Sequence, residues 1–218
     1  ILSGGYIGYV VPALTNSPPG SAQHSGHLAW KMLMDSPYID YLFSPHFYHM
    51  RRQGDPVMPM SLPDSLRLNG KLWLNEYDSR TYLSPIGPKT FSQTETREQF
   101  KKEFGNAITR DQGWWWLEFN FNTVGAQAAS WFADETLQRD MGVMKNVYQT
   151  ELKNAPQSTP SAEIAVIVNA EQPYYTDAYS PANTVHSNIA NLLIPRLSQL
   201  GAPFDLYAQS DLPKLKAQ

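Results

Sequence analysis

Two glutamates follow short aromatic segments of the chain, and both are candidates for acid–base or nucleophilic chemistry. Glu76 ends the apolar part of GKLWLNEYDSRT at 70–81, and Glu118 follows three tryptophans in GWWWLEFN at 113–120. A carboxylate at the carboxyl end of a buried parallel strand is typical of an active site in an α/β barrel. A charged residue that simply marks where a strand meets solvent is the alternative, and the spacing leaves both interpretations open.

One helix is predicted between the two segments. Ser92 and Glu95 fit a capping box at its start. Phe100 and Phe104 lie one turn apart, and Gly105 is a candidate for its end. Because a strand, a helix and a second strand form a right-handed crossover, we expect the two strands to be parallel neighbours. Both glutamates would then lie at the same rim of the sheet.

Tryptophans beside carboxylates suit a sugar, because indole rings stack on apolar sugar faces while polar groups bind the hydroxyls. Strand alternation predicts one face made of Trp114, Trp116, Glu118 and Asn120. We expect Trp116 and Asn120 on this face to contact the substrate. The simplest alternative is that the tryptophans belong to the core, and this is our expectation for Trp115 on the opposite face.

Several motifs resemble the second half of a glycoside hydrolase barrel. They are SGHLA at 25–29, DSPYID at 35–40, SPHFY at 44–48 and GKLWLNEYDSRT at 70–81. This pattern is similar to β-galactosidase-like enzymes related to family 42, which belong to a clan of retaining enzymes with two catalytic glutamates. The resemblance covers most of residues 1–150 and is most specific around Glu76. It implies a (β/α)8 TIM barrel that hydrolyses β-galactosides or related β-glycosides.

The resemblance also implies roles for individual residues. Glu76 matches the nucleophile, which attacks the anomeric carbon and forms a glycosyl-enzyme that water later hydrolyses. Tyr48 follows the preceding strand, where the clan often places a tyrosine that hydrogen-bonds the nucleophile. Glu118 matches the carboxylate of the eighth strand that binds sugar hydroxyls, and His46 is a further candidate for hydroxyl binding.

The first segment is too short for a complete barrel. A barrel needs roughly 250 residues, whereas the composition changes near residue 154. The predicted strands at 5–11, 39–44, 71–76 and 114–119 would be strands five to eight. The fourth strand, which carries the acid/base in this clan, is then missing, and Glu76 is the first glutamate of a chain that begins with isoleucine. We therefore expect a fragment that is inactive alone.

A second unit is predicted beyond a linker. It begins with a buried parallel strand at 162–169, continues with a helix that Pro195 should kink, and reaches a second strand at Phe204. This order opens a doubly wound α/β domain and resembles the flavodoxin-like domain that contributes to trimers in family 42 enzymes. The predicted organisation is a partial TIM barrel at 1–153, a linker at 154–161 and a partial flavodoxin-like domain at 162–218.

Composition excludes several classes of protein. The net charge of −3 gives no basic surface for nucleic acid, and no apolar run is long enough for a membrane span. The chain has no cysteine and therefore no thiolate metal site, and we expect no bound metal. We also expect no cofactor, because the segment after residue 171 lacks a glycine-rich phosphate motif. The sequence does not distinguish a cytoplasmic from a periplasmic or secreted location.

Aromatic residues make up 12% of the chain, which suits a carbohydrate cleft. Besides a fragment of a retaining glycosidase that forms a homo-oligomer, a trimer by the resemblance, two other functions fit. One is a non-catalytic carbohydrate-binding protein that keeps a barrel-derived aromatic cleft. The other is an α/β module with an unrelated ligand.

Overall fold

A computed structural model describes most of the chain. The described residues are 1–8, 10–11, 26–48, 50–85, 87, 89–118, 130–154, 161–175 and 192–215. Within these ranges the strands are β1 Gly4–Tyr6, β2 Tyr41–Pro45, β3 Leu72–Tyr77, β4 Gly113–Trp116, β5 Ile164–Val168 and β6 Phe204–Ala208. The helices are α1 Trp30–Asp35, α2 Pro63–Leu68, α3 Gln93–Thr109, α4 Glu135–Asn154 and α5 Ile194–Leu200, with 3-10 turns at Gln172–Tyr174 and Gln209–Lys214.

The protein has an α/β fold with two parallel sheets. The first sheet has the strand order β1-β2-β3-β4 and the second pairs β5 with β6, and every pairing is parallel. Each pair of consecutive strands is joined by a segment that contains at least one helix, as parallel neighbours require. The prediction that the strands before the two glutamates are parallel neighbours is confirmed.

Helix α3 shows how the local sequence fixes an element. The Ser92 hydroxyl accepts a hydrogen bond from the Glu95 amide at 3.1 Å, and the Glu95 carboxylate accepts one from the Phe91 amide at 2.6 Å. The prediction that Gly105 ends the helix is wrong, because the helix continues to residue 109. A glycine costs only about 1 kcal/mol inside a helix, and packing of the fully buried Phe100 offsets that cost.

The two faces of the four-stranded sheet differ in exposure. On one face Leu42, Trp73 and Tyr77 are buried, with at most 3% of each residue exposed. Except for Pro45, which is buried, the apolar and aromatic side chains of the opposite face are half-buried or more exposed, such as Tyr6 and Leu72 at about 40%. By strand register this second face consists of Gly4, Tyr6, Tyr41, Phe43, Pro45, Leu72, Leu74, Glu76, Gly113 and Trp115. We call it the open face.

One hydrophobic cluster joins the two sheets. It contains Met58, Met60 and Leu62 from the segment after β2 together with Val166 and residues of β6. The methionines of this segment are buried in the core, and the segment ends in α2.

Polar contacts reinforce the join between α2 and β6. The Asp64 carboxylate accepts a hydrogen bond from the Leu206 amide at 2.8 Å. The Ser65 hydroxyl accepts one from the Ala208 amide at 2.7 Å and donates one to Asp211 at 2.6 Å. Helix α2 therefore supplies partners to the backbone of β6 as an additional strand would.

Asp205 and Asp211 are both buried. Asp205 lies 3.3 Å from Arg67 and 3.8 Å from Arg110, which also surround Asp64. Burial, with the added charge of Asp205, raises the pKa of Asp64 to about 6 against the opposing effect of the two arginines. Asp64 therefore carries a desolvation cost in the folded protein.

One further prediction concerns a helix. Pro195 does not kink its helix, because it lies in the first turn of α5, where its missing N–H has no partner to lose. Gly201 ends α5 in the left-handed conformation, with φ of 71°. Helix α1 begins at Trp30, and the described residues 26–29 before it are not helical. Most of the predicted linker lies outside the described residues, so the domain division stays a prediction.

Candidate active site

Glu76 is a buried carboxyl group at the carboxyl end of β3. On the open face it lies between Pro45 of β2 and Trp115 of β4, which are its register partners. Only 5% of the residue is exposed, and no described residue donates a hydrogen bond to its carboxyl group. Burial raises the pKa of Glu76 to about 7, and the charge of Asp78 adds to this while Arg51 opposes it. Near neutral pH this carboxyl group can therefore both bind and release a proton.

An ion pair lies beside Glu76. Arg51 comes from the segment after β2, and its Nη1 is 2.6 Å from Oδ1 of Asp78, which follows β3. Its Nη2 donates to the carbonyl of His46 at 2.6 Å, and its guanidinium lies 4.4 Å from the centre of the Tyr48 ring. Burial raises the pKa of Asp78, and Arg51 opposes that shift. The guanidinium thus connects the ends of two neighbouring strands.

Tyr48 was predicted to hydrogen-bond the nucleophile. In the structure its ring stacks under Arg51, and it makes no hydrogen bond to Glu76.

His46 lies on the helix side of the sheet, away from the open face. Its Nδ1 is 2.8 Å from Glu103 of α3, and the Glu103 carboxylate also accepts hydrogen bonds from Ser79 at 3.1 Å and from Gln99. Burial alone would raise the pKa of Glu103, but the charge and hydrogen bond of His46, with Arg51 and Gln99, hold it below its ordinary value. The histidine predicted to bind a sugar hydroxyl is therefore part of a buried network.

Glu118 lies at the same rim as Glu76, as predicted. The amide of Leu117 donates to the carbonyl of Tyr77 at 2.9 Å, which continues the pairing of β3 and β4 toward that rim. The Glu118 carboxylate accepts hydrogen bonds from the Ser130 hydroxyl at 2.5 Å and the Trp131 amide at 2.9 Å. Both of its oxygens thus hold the chain that leads into α4, so its position has a structural explanation.

Trp115 lies on one face of the sheet and Trp116 on the other, as strand alternation requires. The prediction placed Trp116 on the ligand side and Trp115 in the core, and the structure shows the reverse. Trp116 packs on the helix side, with its ring 4.8 Å from that of Tyr77 and 4.7 Å from that of Phe100. Trp115, which we expected to be a core residue, lies on the open face beside Glu76, with its ring 5.5 Å from that of Phe43. Trp115 is therefore the tryptophan placed to meet a ligand at Glu76. Asn120 lies outside the described residues.

The sequence interpretation missed Arg51, Asp78 and Glu103. A signal existed for Glu103, because Gln99 and Glu103 are four residues apart and Glu103 follows Phe100 by three, which places it on the inner face of α3. Asp78 stands two residues after Glu76, in the polar stretch where β3 ends. No local pattern distinguishes Arg51 from Arg52, because the contact with Asp78 spans two strands.

Comparison of the chain with protein-family models, with curated proteins and with solved structures finds no match. Among the described residues, no helix combines the length and apolar character that a membrane crossing needs. The same part of the chain has no group of three or more side chains suited to hold a metal ion. Function is therefore argued from the geometry around Glu76.

Proposed function

We propose that this chain carries the nucleophile of a retaining glycoside hydrolase that acts on β-galactosides or related β-glycosides. The observation that carries the proposal is the buried carboxyl group of Glu76, which no described residue hydrogen-bonds, at the carboxyl end of a parallel strand. Structural carboxylates that are this deeply buried normally have hydrogen-bond partners, as Glu103 does. A carboxyl group with no partner among the described residues is a candidate to bind a ligand.

In the proposed reaction, ionised Glu76 attacks the anomeric carbon of the sugar. The bond from that carbon to the leaving oxygen breaks, and an acid on another part of the protein gives this oxygen a proton. Water then attacks the glycosyl-enzyme, the acid group acts as a base, and Glu76 leaves as a carboxylate. Because a nucleophile must be ionised, a pKa of about 7 makes the first step faster as the pH rises through neutrality.

The fold interpretation extends this proposal. We interpret β1 to β4 as strands five to eight of a TIM barrel, whose interior the open face would line. The two parallel strands β5 and β6 would begin a flavodoxin-like domain, and through it the chain would form a trimer. A four-stranded sheet with one exposed aromatic face supports the barrel interpretation, because such a face needs cover. The acid/base would belong to a strand outside this set.

Trp115 replaces Trp116 as the proposed aromatic contact for the sugar. It stands next to Glu76 on the open face, and its neighbour Phe43 continues the aromatic surface toward Tyr6, whose ring is 5.8 Å away. Apolar faces of sugar rings stack on such surfaces.

A non-catalytic carbohydrate-binding protein is the second candidate. One observation favours it: the Glu118 carboxylate accepts hydrogen bonds from Ser130 and Trp131. Among the described residues, this rim therefore has no second free carboxylate beside Glu76. Such a protein would use the open face for stacking and would not need an ionised Glu76.

Hydrolysis assays separate the two candidates. The full-length gene is expressed, and nitrophenyl β-galactoside and β-glucoside are offered as substrates. We expect turnover that falls at least about a thousandfold in Glu76→Gln, the size typical for a lost nucleophile, and the 218-residue chain alone to be inactive. Glu98→Gln, at an exposed glutamate of α3, is the matched control. Sugar binding without turnover in any form would favour the second candidate.

A further inference from the structure

A row of aromatic side chains crosses the open face from β4 to β1 and continues beyond the strands. The ring of Phe43 lies 5.5 Å from that of Trp115 and 5.8 Å from that of Tyr6. The Tyr6 ring in turn lies 5.0 Å from that of His27, which belongs to the connection between β1 and α1. We call these four residues the aromatic row. Glu76 lies beside Trp115 at one end of it, and the imidazole of His27 forms the other end.

The hydroxyl group of Tyr6 lies near the rim of the sheet that carries Glu76. A Cβ atom added to Gly8 would lie 2.6 Å from the Tyr6 hydroxyl oxygen, so a side chain at position 8 would displace the tyrosine. The hydroxyl group therefore lies beside Gly8, which follows the carboxyl end of β1. Because 39% of Tyr6 is exposed, this residue brings accessible aromatic surface together with a hydroxyl group at the rim.

The open face suits a neutral ligand that has apolar faces and hydroxyl groups. Among the described strand positions of this face, Glu76 is the one carboxylate and there is no cation. Burial lowers the pKa of His27, so its ring is neutral near pH 7 and has one donor and one acceptor nitrogen. Valine, isoleucine and leucine fill the interior of an ordinary barrel, whereas aromatic rings beside neutral polar groups are suited to bind sugars.

We propose that Tyr6 and His27 form a second sugar subsite, so that the open face takes a β-glycoside of at least two sugar units. The proposal rests on the proposed function, because Glu76 defines the first subsite. Adjacent strands are about 4.8 Å apart, so Tyr6 on β1 lies about 10 Å from Glu76 on β3, farther than one sugar ring extends. Trp115 and Phe43 cover the distance between the two subsites. Tyr6 stacks on the second sugar, and His27 hydrogen-bonds one of its hydroxyl groups.

Affinity for ligands of different length tests the second subsite without any need for catalysis. The protein is expressed from its full-length gene with Glu76→Gln, which prevents hydrolysis, and ligands are titrated into it in a calorimeter. The ligands are methyl β-galactoside and methyl β-galactobioside in one series, and methyl β-glucoside and methyl β-cellobioside in the other. In at least one series the disaccharide should bind about tenfold or more tightly than the monosaccharide, because it contacts a second aromatic surface.

Substitutions in the second subsite should reduce this gain. In Tyr6→Ala and in His27→Ala the ratio of the two affinities should fall to about threefold or less. Gly8→Ala keeps both side chains but displaces Tyr6, and it should lower the ratio as well. The matched control is Tyr38→Ala, at a tyrosine that is 81% exposed in the connection between α1 and β2, and this variant should leave the ratio unchanged.

Several results would overturn the proposal. They are a failure of all four ligands to bind, equal affinities for both lengths in both series, and a gain that survives in Tyr6→Ala and His27→Ala. If these variants keep the gain but change the mass measured by analytical ultracentrifugation, the aromatic row is a contact between copies of the chain and the proposal is also wrong.

Failure of the second subsite and failure of the proposed function are distinguishable. Hydrolysis that depends on Glu76, together with no gain from the second sugar, would reject the subsite and keep the proposed function. A gain that the Tyr6 and His27 substitutions remove, in a protein that hydrolyses no glycoside, would keep the subsite and reject the hydrolase.

Discussion

Replacing Glu76 by glutamine should stabilise the protein above neutral pH. In the unfolded chain this glutamate titrates near its ordinary pKa of 4.5, whereas in the folded protein its pKa is about 7. Because the folded state holds the proton more tightly, the stabilisation is complete below pH 4.5 and is lost as the pH rises through 7. The shift corresponds to at most about 3 kcal/mol, and screening by solvent should reduce this to about 1–2 kcal/mol.

Urea unfolding followed by fluorescence of the six tryptophans measures this effect. With a slope of about 2 kcal/mol per molar urea, the midpoint of Glu76→Gln should lie roughly 0.5–1 M above wild type near pH 8 and should approach wild type near pH 4. Glu118→Gln is the control. Its carboxylate already accepts two hydrogen bonds, so the amide should not stabilise the protein at either pH. A Glu76→Gln variant that is no more stable than wild type near pH 8 would refute the conclusion that burial raises the pKa of Glu76.

Further predictions concern Asp64 and the two tryptophans Trp115 and Trp116. Because the folded pKa of Asp64 is raised to about 6, the wild-type protein should lose up to about 3 kcal/mol of stability as the pH rises from about 4 to about 6. This loss should be absent in Asp64→Asn. An unchanged pH dependence of urea unfolding in the variant would contradict the prediction. Trp116→Ala should cost about 3–5 kcal/mol of unfolding free energy, since its ring packs on Tyr77 and Phe100. Trp115→Ala should cost less than that and weaken sugar binding in a calorimetric titration; the reverse pattern would restore the original assignment of the two tryptophans.

The sequence predicted the local features well. The four apolar segments of the first unit form strands in the expected order, although β1 and β4 are shorter than predicted. The cap at Ser92 and the end at Gly201 follow from side-chain chemistry and backbone freedom that act within a few residues. These signals are local, so a single sequence contains them.

The side of the sheet that each tryptophan occupies was not predictable in the same way. Alternation correctly separated Trp115 from Trp114 and Trp116. Both faces of β4 are aromatic, however, so the pattern does not indicate which one α3 covers. The Phe100 and Phe104 side chains of α3 contact the Trp114 and Trp116 rings, and that contact decides the matter.

Long-range polar contacts escaped prediction for a related reason. Asp205 and Asp211 resemble surface charges in the sequence, but their partners Arg67 and Ser65 are 138 and 146 positions away. The ion pair of Arg51 with Asp78 likewise depends on β2 and β3 lying side by side. Such contacts become visible only when the fold brings the strands together.

Covalent trapping of the sugar is the measurement that tests the nucleophile assignment most directly. A 2-deoxy-2-fluoro-β-galactoside with a dinitrophenyl leaving group forms a glycosyl-enzyme without needing a proton from the acid, and the fluorine slows its hydrolysis. The protein expressed from its full-length gene is treated with this reagent, digested and analysed by mass spectrometry. We predict one fluorogalactosyl group on Glu76 and none in Glu76→Gln. A label on any other carboxylate, or hydrolysis of galactosides that leaves Glu76 unlabelled, would contradict the account.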